Sequence, residues 1–311
     1  FFPRSCAYTT MALRSTPESA FEGIPDYDYE PRSVTIDAPG DPEMAYIDTD
    51  PDGDRETFLC LHGEPTWGFL YRKMVPTLAE RGRVVVPDAI GFGRSDKYTE
   101  REEYDYDLHY DATEQFVEAL DLTDITLVCQ DWGGIVGLPV AVNNEERFAR
   151  LVPMNTDCPT GEAEMAEEWY DFRDFVERAD ELPIAMLIDN ATATDLSEEV
   201  LAAYEAPFPE EELKAGAREW PDMVPRADGG DGGEITSAAR EELAEWDKPA
   251  FVLFADSDPI TKGARDPLRE LIPTADEQPD VWVEGAMHFL QEDAGEAIAE
   301  EIIDFVDRTA L

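Results

Sequence analysis

One aspartate in the chain lies where its neighbours point to nucleophilic chemistry. The stretch LVCQDWGG runs from an apolar segment through Gln130 to Asp131 and ends in a tryptophan and two glycines. A strand that turns sharply into a helix, with a nucleophile at the turn and small residues beside it, forms a nucleophile elbow. Asp131 is therefore a candidate nucleophile. Because aspartate is also a favoured helix cap, this motif alone leaves a structural role open.

Few side chains could serve as a base for such a nucleophile, because the chain contains three histidines. His62 lies in the loop of FLCLHGEPTWGF, and His109 lies at the start of a predicted helix, where we expect it to be exposed or capping. His288 follows a strand-like run in VWVEGAMHFLQED. Elimination therefore makes His288 the candidate general base.

A histidine base needs an acid that orients it, and two candidates follow one strand-like run. The run AFVLFA is followed closely by Asp256 and Asp258. Asp258 is the preferred acid because it lies further into the loop, at the edge where catalytic loops gather in parallel sheets. Asp256 is then expected to lie in a turn or to face solvent. The order Asp131, Asp258, His288 is the order nucleophile, acid, histidine of one hydrolase architecture.

Two backbone N–H groups are predicted to form an oxyanion hole. In such an architecture the loop after an early strand supplies one donor, and this loop carries Glu64. The residue after the nucleophile, Trp132, supplies the other.

The elements that would position these residues alternate between strands and helices. Unbroken apolar runs are typical of strands covered on both faces, and helix-like segments such as 71–81 and 111–120 separate them. We therefore predict an α/β fold with a mostly parallel central sheet flanked by helices. The predicted strands are 32–36, 44–47, 57–61, 83–87, 125–129, 151–154, 250–255 and 281–283.

One long segment interrupts this alternation. Residues 158–228 are rich in Glu, Ala, Trp and Tyr, are helical in pattern and contain no strand-like run, so we predict an inserted helical cap. The α/β core is then predicted to comprise residues 16–157 and 229–311. Residues 1–15 are predicted to be an N-terminal extension, either upstream sequence or disordered, because Met11 is a candidate start.

The composition limits the classes of function. With 72 acidic and 24 basic residues the net charge is −48, so nucleic acid binding is not expected. Recurrent apolar strands argue against disorder, and the acidic surface instead favours a halophilic protein whose self-repulsion is screened in molar salt, where the Debye length is roughly 3 Å. No apolar run is long enough to span a membrane. Four widely spaced cysteines without a CxxC pair predict reduced thiols and a cytoplasmic location.

Taken together, five segments resemble the haloalkane dehalogenases of the α/β-hydrolase superfamily: LHGEPTWGFLYRKM, VVVPDAIGFGRSDK, LVCQDWGG, YEAPFPEEELKAGARE and GAMHFLQED. The likeness covers nearly the whole chain from Thr16 onward. It implies an α/β-hydrolase fold with a helical cap and hydrolysis of haloalkanes to an alcohol, a halide ion and a proton. It also implies a carboxylate nucleophile at Asp131, a base at His288 and an acid at Asp258, without a cofactor or a metal.

The resemblance further implies two indole N–H groups that bind the halide. One belongs to Trp132, and in one subgroup the other comes from the first cap helix, where PTGEAEMAEEWYDF places Trp169. In another subgroup an Asn in the HGNP loop binds the halide and the acid follows an earlier strand. This chain has Glu64 in the loop and Asn155 after that earlier strand, so it fits the first subgroup. The family also suggests that the Glu64 side chain helps to hold the hydrolytic water.

The residue types suit this chemistry, since attack by a carboxylate gives an ester that water can cleave. The indole N–H only donates, which suits a halide. The main alternative is an epoxide hydrolase of the same fold, which needs cap tyrosines, and Tyr170 and Tyr204 are available. A non-catalytic binding protein is less favoured because no member of the triad is missing.

Overall fold

The computed structural model describes residues 13–53 and 55–309. Its strands are β1 (Leu13–Arg14), β2 (Arg32–Thr35), β3 (Glu43–Asp48), β4 (Thr57–Leu61), β5 (Arg83–Pro87), β6 (Lys97–Tyr98), β7 (Ile125–Gln130), β8 (Phe148–Met154), β9 (Phe254–Ala255) and β10 (Trp282–Val283). Its α-helices are α1 (Val75–Arg81), α2 (Tyr106–Ala119), α3 (Trp132–Asn143), α4 (Glu167–Arg178), α5 (Ile184–Asn190), α6 (Glu198–Glu205), α7 (Ala215–Met223), α8 (Gly233–Leu243), α9 (Arg265–Leu271) and α10 (Leu290–Arg308). Short 3-10 helices span Glu18–Phe21, Gly68–Tyr71, Arg101–Glu103, Glu145–Arg147, Glu211–Lys214, Lys262–Ala264 and Pro273–Glu277.

Six strands form the main sheet in the order β2-β3-β5-β4-β7-β8. The pairs β5–β4, β4–β7 and β7–β8 are parallel, and only β2 and β3 at one edge join in antiparallel fashion. Every residue of β4, β7 and β8 is buried, as expected for strands covered on both faces. The predicted mostly parallel sheet is confirmed.

The sheet continues beyond β8. The chain ahead of β9 runs parallel to β8, with Phe251 N–H donating to Leu151 O at 2.8 Å and Leu253 N–H donating to Pro153 O at 3.1 Å. β10 then pairs with β9, also in parallel. The carboxyl ends of β7, β8, β9 and β10 therefore meet at one edge, which is where side chains after parallel strands form sites.

Two helices begin elsewhere than the sequence predicted. The segment 71–81 is divided, because the helix begins at Val75 with Pro76 in its first turn, where proline is favoured. The helix predicted from residue 111 begins at Tyr106 instead, since the Asp105 side chain accepts a hydrogen bond from Leu108 N–H at 2.7 Å.

The segment between β8 and α8 contains helices α4 to α7 and no strand among its described residues. Helix α5 packs against α6, and α4 packs against α7. The aromatic side chains of this segment turn inward: Trp169, Tyr204 and Trp220 are all buried. The helical segment therefore contributes buried side chains to the hydrophobic core.

The N-terminal prediction needs a correction at its boundary. Leu13 and Arg14, which fall within the predicted extension 1–15, form β1 and pair with β6. Arg14 also forms an ion pair with Glu210 at 3.3 Å, so the fold includes these residues because both sheet and charge contacts hold them. Residues 1–12 lie outside the described part of the chain.

The remaining general features concern membranes, metals and thiols. Within residues 13–53 and 55–309, no helix combines the length and the apolar character needed to cross a membrane. The same residues contain no group of three or more His, Cys, Asp or Glu side chains that could hold a metal ion. Cys60, Cys129 and Cys158 are buried, free thiols.

Candidate active site

Asp131 occupies a sharp turn between β7 and α3. Its φ of 52° and ψ of −123° are strained for a residue with a side chain. The turn is held by Asp131 N–H, which donates to Asn155 O at 3.1 Å, and by Thr156 Oγ1, which donates to Asp131 O at 2.6 Å. A Cβ on Gly133 would lie 2.1 Å from Leu61 O, so this position requires glycine. The geometry is that of the predicted nucleophile elbow.

The two carboxylate oxygens of Asp131 have different surroundings. Oδ1 accepts a hydrogen bond from Glu64 N–H at 2.7 Å. Oδ2 lies 3.6 Å from His288 Nε2, a contact between charges that is longer than a hydrogen bond. Trp132 N–H is the first amide of α3 and has no partner inside the helix. Within the described residues it donates to no carboxylate, so the loop donor alone is engaged.

Behind His288 lies the predicted acid. His288 Nδ1 is 3.1 Å from Oδ2 of Asp258, whose side chain is fully buried. Asp258 also accepts hydrogen bonds from Ile260 N–H at 2.9 Å and from the Thr261 hydroxyl. Burial by itself would raise the pKa of Asp258, but His288 and these donors hold it below its usual value. Asp256 faces away and accepts from a loop N–H at 2.8 Å.

The charge on the His288 ring follows from this arrangement. Burial by itself lowers the pKa of His288, because a buried imidazolium loses its hydration. The carboxylates of Asp258 and Asp131 outweigh burial and raise the pKa of His288 to about 10. At neutral pH the ring is therefore an imidazolium between two carboxylates.

The other two histidines are held by structural contacts. His62 Nδ1 lies 3.1 Å from Gly63 O, and its Nε2 accepts from Ala89 N–H at 3.0 Å. The prediction that His109 is exposed or capping is wrong: it is 3% exposed, and its Nε2 accepts from Trp220 Nε1 at 2.7 Å. The reason is that α2 begins three residues before His109, so the ring lies on the buried face of the helix. Neither ring lines the cavity beside the nucleophile.

A cavity of about 770 Å³ opens beside Asp131. The predicted residues Glu64, Trp132, Trp169 and His288 line it together with Asp131. Its apolar wall includes Ile135, Phe172, Pro221, Val224, Ile260 and Phe289. No tyrosine in the described part of the chain lines this cavity. The structure therefore brings the predicted nucleophile, base, loop residue and both indoles to one space, with Asp258 behind the base.

Both indoles are fixed by packing on their far sides. The ring of Trp132 stacks on Trp220 with centroids 5.1 Å apart and an interplanar angle of 20°. The ring of Trp169 has the Arg226 guanidinium 5.3 Å from its centroid. Neither Nε1 donates to a protein group within residues 13–53 and 55–309, so both N–H groups are available to a ligand in the cavity.

Glu64 differs from the other carboxylates of the site. Its side chain is buried, and within the described residues neither carboxyl oxygen has a hydrogen-bond partner. Burial, and secondly the charge of Asp131, raise the pKa of Glu64 well above its usual value. This favours the protonated form of Glu64, and a protonated carboxyl group can both donate and accept a hydrogen bond.

Two residues that support the histidine were not identified from the sequence. Asn155 Nδ2 donates to Met287 O and to His288 O, both at 3.0 Å, while its Oδ1 accepts from Ala255 N–H at 2.8 Å. The Gln130 amide nitrogen lies 3.1 Å from His288 Nε2, and its oxygen is buried. Because an amide can present either atom, Gln130 can serve both the charged and the neutral ring. Their positions at the ends of parallel strands were the available signal.

Comparisons with known proteins agree with this geometry. A family model described as the alpha/beta hydrolase fold matches residues 56–294. A haloalkane dehalogenase of Psychrobacter cryohalolentis is 40% identical over 299 residues, covering 95% of this chain and 98% of that protein. Haloalkane dehalogenase 1 of Mycobacterium tuberculosis is 40% identical over 302 residues, covering 96% of this chain and 100% of that protein. A haloalkane dehalogenase structure from Paraglaciecola agarilytica, described as tetrameric, has a TM-score of 0.87 and 38% identity, covering 94% of this chain and 97% of that one.

Proposed function

This chain belongs to the haloalkane dehalogenases of the α/β-hydrolase family, and we propose that it cleaves the carbon–halogen bond through an alkyl ester on Asp131. The reaction converts a haloalkane and water into an alcohol, a halide ion and a proton. One observation carries the proposed mechanism: Asp131 and His288 border a cavity that Trp132 and Trp169 also line.

In the first step the Asp131 carboxylate displaces the halide. Oδ1 is engaged by Glu64 N–H at 2.7 Å, whereas Oδ2 receives no backbone hydrogen bond among the described residues. Oδ2 is therefore the attacking oxygen. It forms the new C–O bond while the carbon–halogen bond breaks, and the halide leaves with the bonding electrons. A serine would form an ether here, which water cleaves poorly, whereas the ester is open to hydrolysis.

In the second step water attacks the carbonyl carbon of the ester. His288 Nε2 takes a proton from the water while Asp258 stabilises the charged ring from 3.1 Å. Negative charge develops on Oδ1, toward which Glu64 N–H already points, and the unpaired Trp132 N–H at the helix start is the second donor. His288 then protonates the leaving alkoxide, the remaining acid proton passes to solvent, and the Asp131 carboxylate is restored with one oxygen from water.

The departing halide is received by Trp132 and Trp169. Each tryptophan lies in the apolar wall of the cavity and contributes an indole N–H, which donates a hydrogen bond and cannot accept one. A halide bound there would gain hydrogen bonds without meeting the lone pair of an acceptor. The stacking of Trp132 on Trp220 and the cation–π contact of Trp169 with Arg226 support this role, because they hold both rings at the cavity wall.

Glu64 is proposed to hold the hydrolytic water through its side chain. Its carboxyl group lines the cavity beside Asp131, neither of its oxygens has a hydrogen-bond partner among the described residues, and its raised pKa favours the protonated form. An ionised carboxylate there would repel the charge that develops on Asp131. The raised pKa of Glu64 therefore suits it to this role.

An epoxide hydrolase would require a tyrosine that protonates the epoxide oxygen. Tyr204 is buried and its hydroxyl is bound to Glu292, and the Tyr170 hydroxyl lies 3.4 Å from Asp228. Neither tyrosine lines the cavity. The alternative lacks its acid and is disfavoured.

We further propose that residues 158–228 are the cap and that the protein belongs to the subgroup whose second halide donor lies there. Three observations support this. Trp169 lines the cavity from α4, Asp258 contacts the base, and Asn155 is occupied with backbone groups instead of the ring. The acid position of the other subgroup is thus filled by an amide.

The acidic surface supports a halophilic enzyme from a salt-rich cytoplasm. Even if every one of the 24 basic residues paired with one carboxylate, 72 − 24 = 48 carboxylates would remain. Arg101 already shares its guanidinium among Glu177, Glu219 and Asp222 at 2.6–2.7 Å. Screening by salt is therefore needed where partner cations are scarce.

A single turnover in oxygen-18 water tests the mechanism. We expect one heavy oxygen in the Asp131 peptide, bromide release from 1-bromobutane and no turnover of styrene oxide. His288→Phe is expected to release one equivalent of bromide and then to retain the butyl ester, visible as added mass on that peptide. Unlabelled Asp131 in the wild-type protein would contradict the ester mechanism, and diol formation without halide would favour the epoxide hydrolase.

A further inference from the structure

Asp293, near the start of α10, accepts three backbone hydrogen bonds from two separate segments. Oδ2 accepts from Met287 N–H at 2.9 Å and from Ala193 N–H at 3.1 Å. Oδ1 accepts from Thr194 N–H at 2.8 Å. Met287 directly precedes the base, whereas Ala193 and Thr194 lie between α5 and α6 in the proposed cap. One carboxylate thus ties the histidine loop to the cap.

A fourth hydrogen bond joins the same two segments. Phe289 N–H donates to Ala191 O at 3.2 Å. His288 is therefore flanked on both sides by residues bound to the segment 191–194, directly at Phe289 and through Asp293 at Met287. Asn155 holds the loop from the core side, so its position is fixed jointly by core and cap.

The backbone around Asp293 is built to allow this arrangement. Ala294, the next residue, has a non-helical φ of −144° inside α10. The preceding Glu292 is fully buried, pairs with Arg72 through a bond of 2.7 Å and is bound by the Tyr204 hydroxyl. The kink lets two adjacent carboxylates serve different partners, with Glu292 anchoring helix α10 and Asp293 free to face the histidine loop.

We propose that Asp293 is a positioning residue that holds His288 in the geometry needed for ester hydrolysis. The inference rests on the proposed function, in which His288 acts in the second step and takes no part in halide displacement. Loss of the Asp293 carboxylate releases the loop on the side of Met287, and the ring moves away from Asp131 and Asp258. Misplacement of a catalytic group by about 1 Å costs roughly 100-fold in rate.

The test compares Asp293→Ala and Asp293→Asn with Glu296→Ala, which removes an exposed carboxylate from the same helix. Rapid-quench kinetics with 1-bromobutane separates the two steps. For Asp293→Ala we expect hydrolysis to slow roughly 10- to 100-fold while halide release in the first turnover stays within about threefold of the wild type, so the ester accumulates. Asp293→Asn, which keeps the volume and one acceptor oxygen, should fall between the two, and Glu296→Ala should match the wild type.

A second readout does not depend on turnover. If the His288 ring leaves its two carboxylates, its pKa falls, and NMR titration of the imidazole records the change in Asp293→Ala. The proposal would be overturned if Asp293→Ala slowed halide release and ester hydrolysis equally. It would also be overturned if the ratio of the two rates and the His288 titration both stayed as in the wild type. Absence of any halide release by the wild type would instead contradict the proposed function, and the titration would still decide the role of Asp293.

Discussion

Replacement of Asp131 by Asn is expected to lower the pKa of His288, because it removes one of the two carboxylates that keep the ring charged. The substitution preserves shape, and its amide oxygen can still accept from Glu64 N–H. It also imitates the ester, in which Asp131 carries no charge. The variant therefore reports how the base behaves between the two chemical steps.

The size of the effect follows from the geometry. Asp131 Oδ2 and His288 Nε2 are 3.6 Å apart, and unit charges at this distance interact by about 4 to 5 kcal/mol at an effective dielectric constant of about 20. Since 1.36 kcal/mol corresponds to one pH unit, the pKa of His288 should fall by about three pH units. It would then approach neutrality from its value of about 10 in the unmodified protein.

Imidazole NMR is suited to the measurement because the chain has three histidines. Burial lowers the pKa of His62, and burial together with His62 lowers that of His109 to about 3, whereas the pKa of His288 is raised to about 10, so the His288 titration lies on the opposite side of the free value from the other two. Asp256→Asn is the matched control, since Asp256 lies in the same loop as the acid and does not contact the ring. An identical His288 titration in the wild type and in Asp131→Asn would refute the charge coupling.

The same shift has a consequence for stability. The pKa of His288 is raised in the folded state, so its contribution to stability is fully present below the unfolded value of about 6.5 and is lost as pH rises through about 10. Between these limits the contribution falls by about 1.4 kcal/mol per pH unit. The free energy of unfolding, measured by urea titration at fixed salt and several pH values, should fall less steeply with pH for Asp131→Asn than for the wild type. Equal dependence on pH in the two proteins would contradict the assignment.

Further predictions concern the halide site, the salt response and the substrate. Trp169→Phe should weaken bromide binding roughly 10- to 150-fold, because a hydrogen bond to a charged group is worth about 1.5 to 3 kcal/mol. Fluorescence quenching by bromide measures the affinity. Trp246→Phe is the control, because Trp246 is buried and does not line the cavity. Melting temperature should rise from 0.1 to 2 M potassium glutamate as screening increases, and equal KCl should stabilise as well but reduce activity because chloride occupies the halide site. In a cavity of about 770 Å³, kcat/KM should rise about three- to fourfold per methylene from 1-bromopropane to 1-bromohexane, since each buried methylene contributes about 0.8 kcal/mol. Equal kcat/KM values across the series would contradict burial of the alkyl chain of the substrate.

Sequence patterns predict the features of the fold and of the site that depend on residues close together in the chain. Buried strands appear as unbroken apolar runs, and the polar residues that follow them must meet at one sheet edge, which is how Asp131 and Asp258 could be identified. The glycines after Asp131 indicate close packing, because a Cβ at Gly133 or Gly134 would collide with Leu61 O or with the Thr156 side chain. These signals are local, so a single sequence contains them.

Contacts between distant segments could not be predicted in the same way. His109 was expected at the surface, but its partner Trp220 lies 111 positions away in the chain. Asp293 meets Thr194 across 99 positions, and nothing in GAMHFLQED distinguishes a carboxylate that binds loop amides from one that faces solvent. Such pairs depend on how the helical segment 158–228 packs on the core, which periodicity alone does not determine.

The charges of the site impose an order on the two steps. In the proposed mechanism the ionised Asp131 serves as the nucleophile and also keeps the pKa of His288 high, so the imidazolium is a poor base. Ester formation consumes that charge, and the pKa of His288 falls toward the range in which the ring can take a proton from water. Asp258 does not provide this change, because it binds the other ring nitrogen at 3.1 Å and takes no part in forming the ester. On this proposal His288 becomes competent as a base only when an ester is present for it to hydrolyse, and one electrostatic contact couples the loss of the nucleophile to the activation of the water.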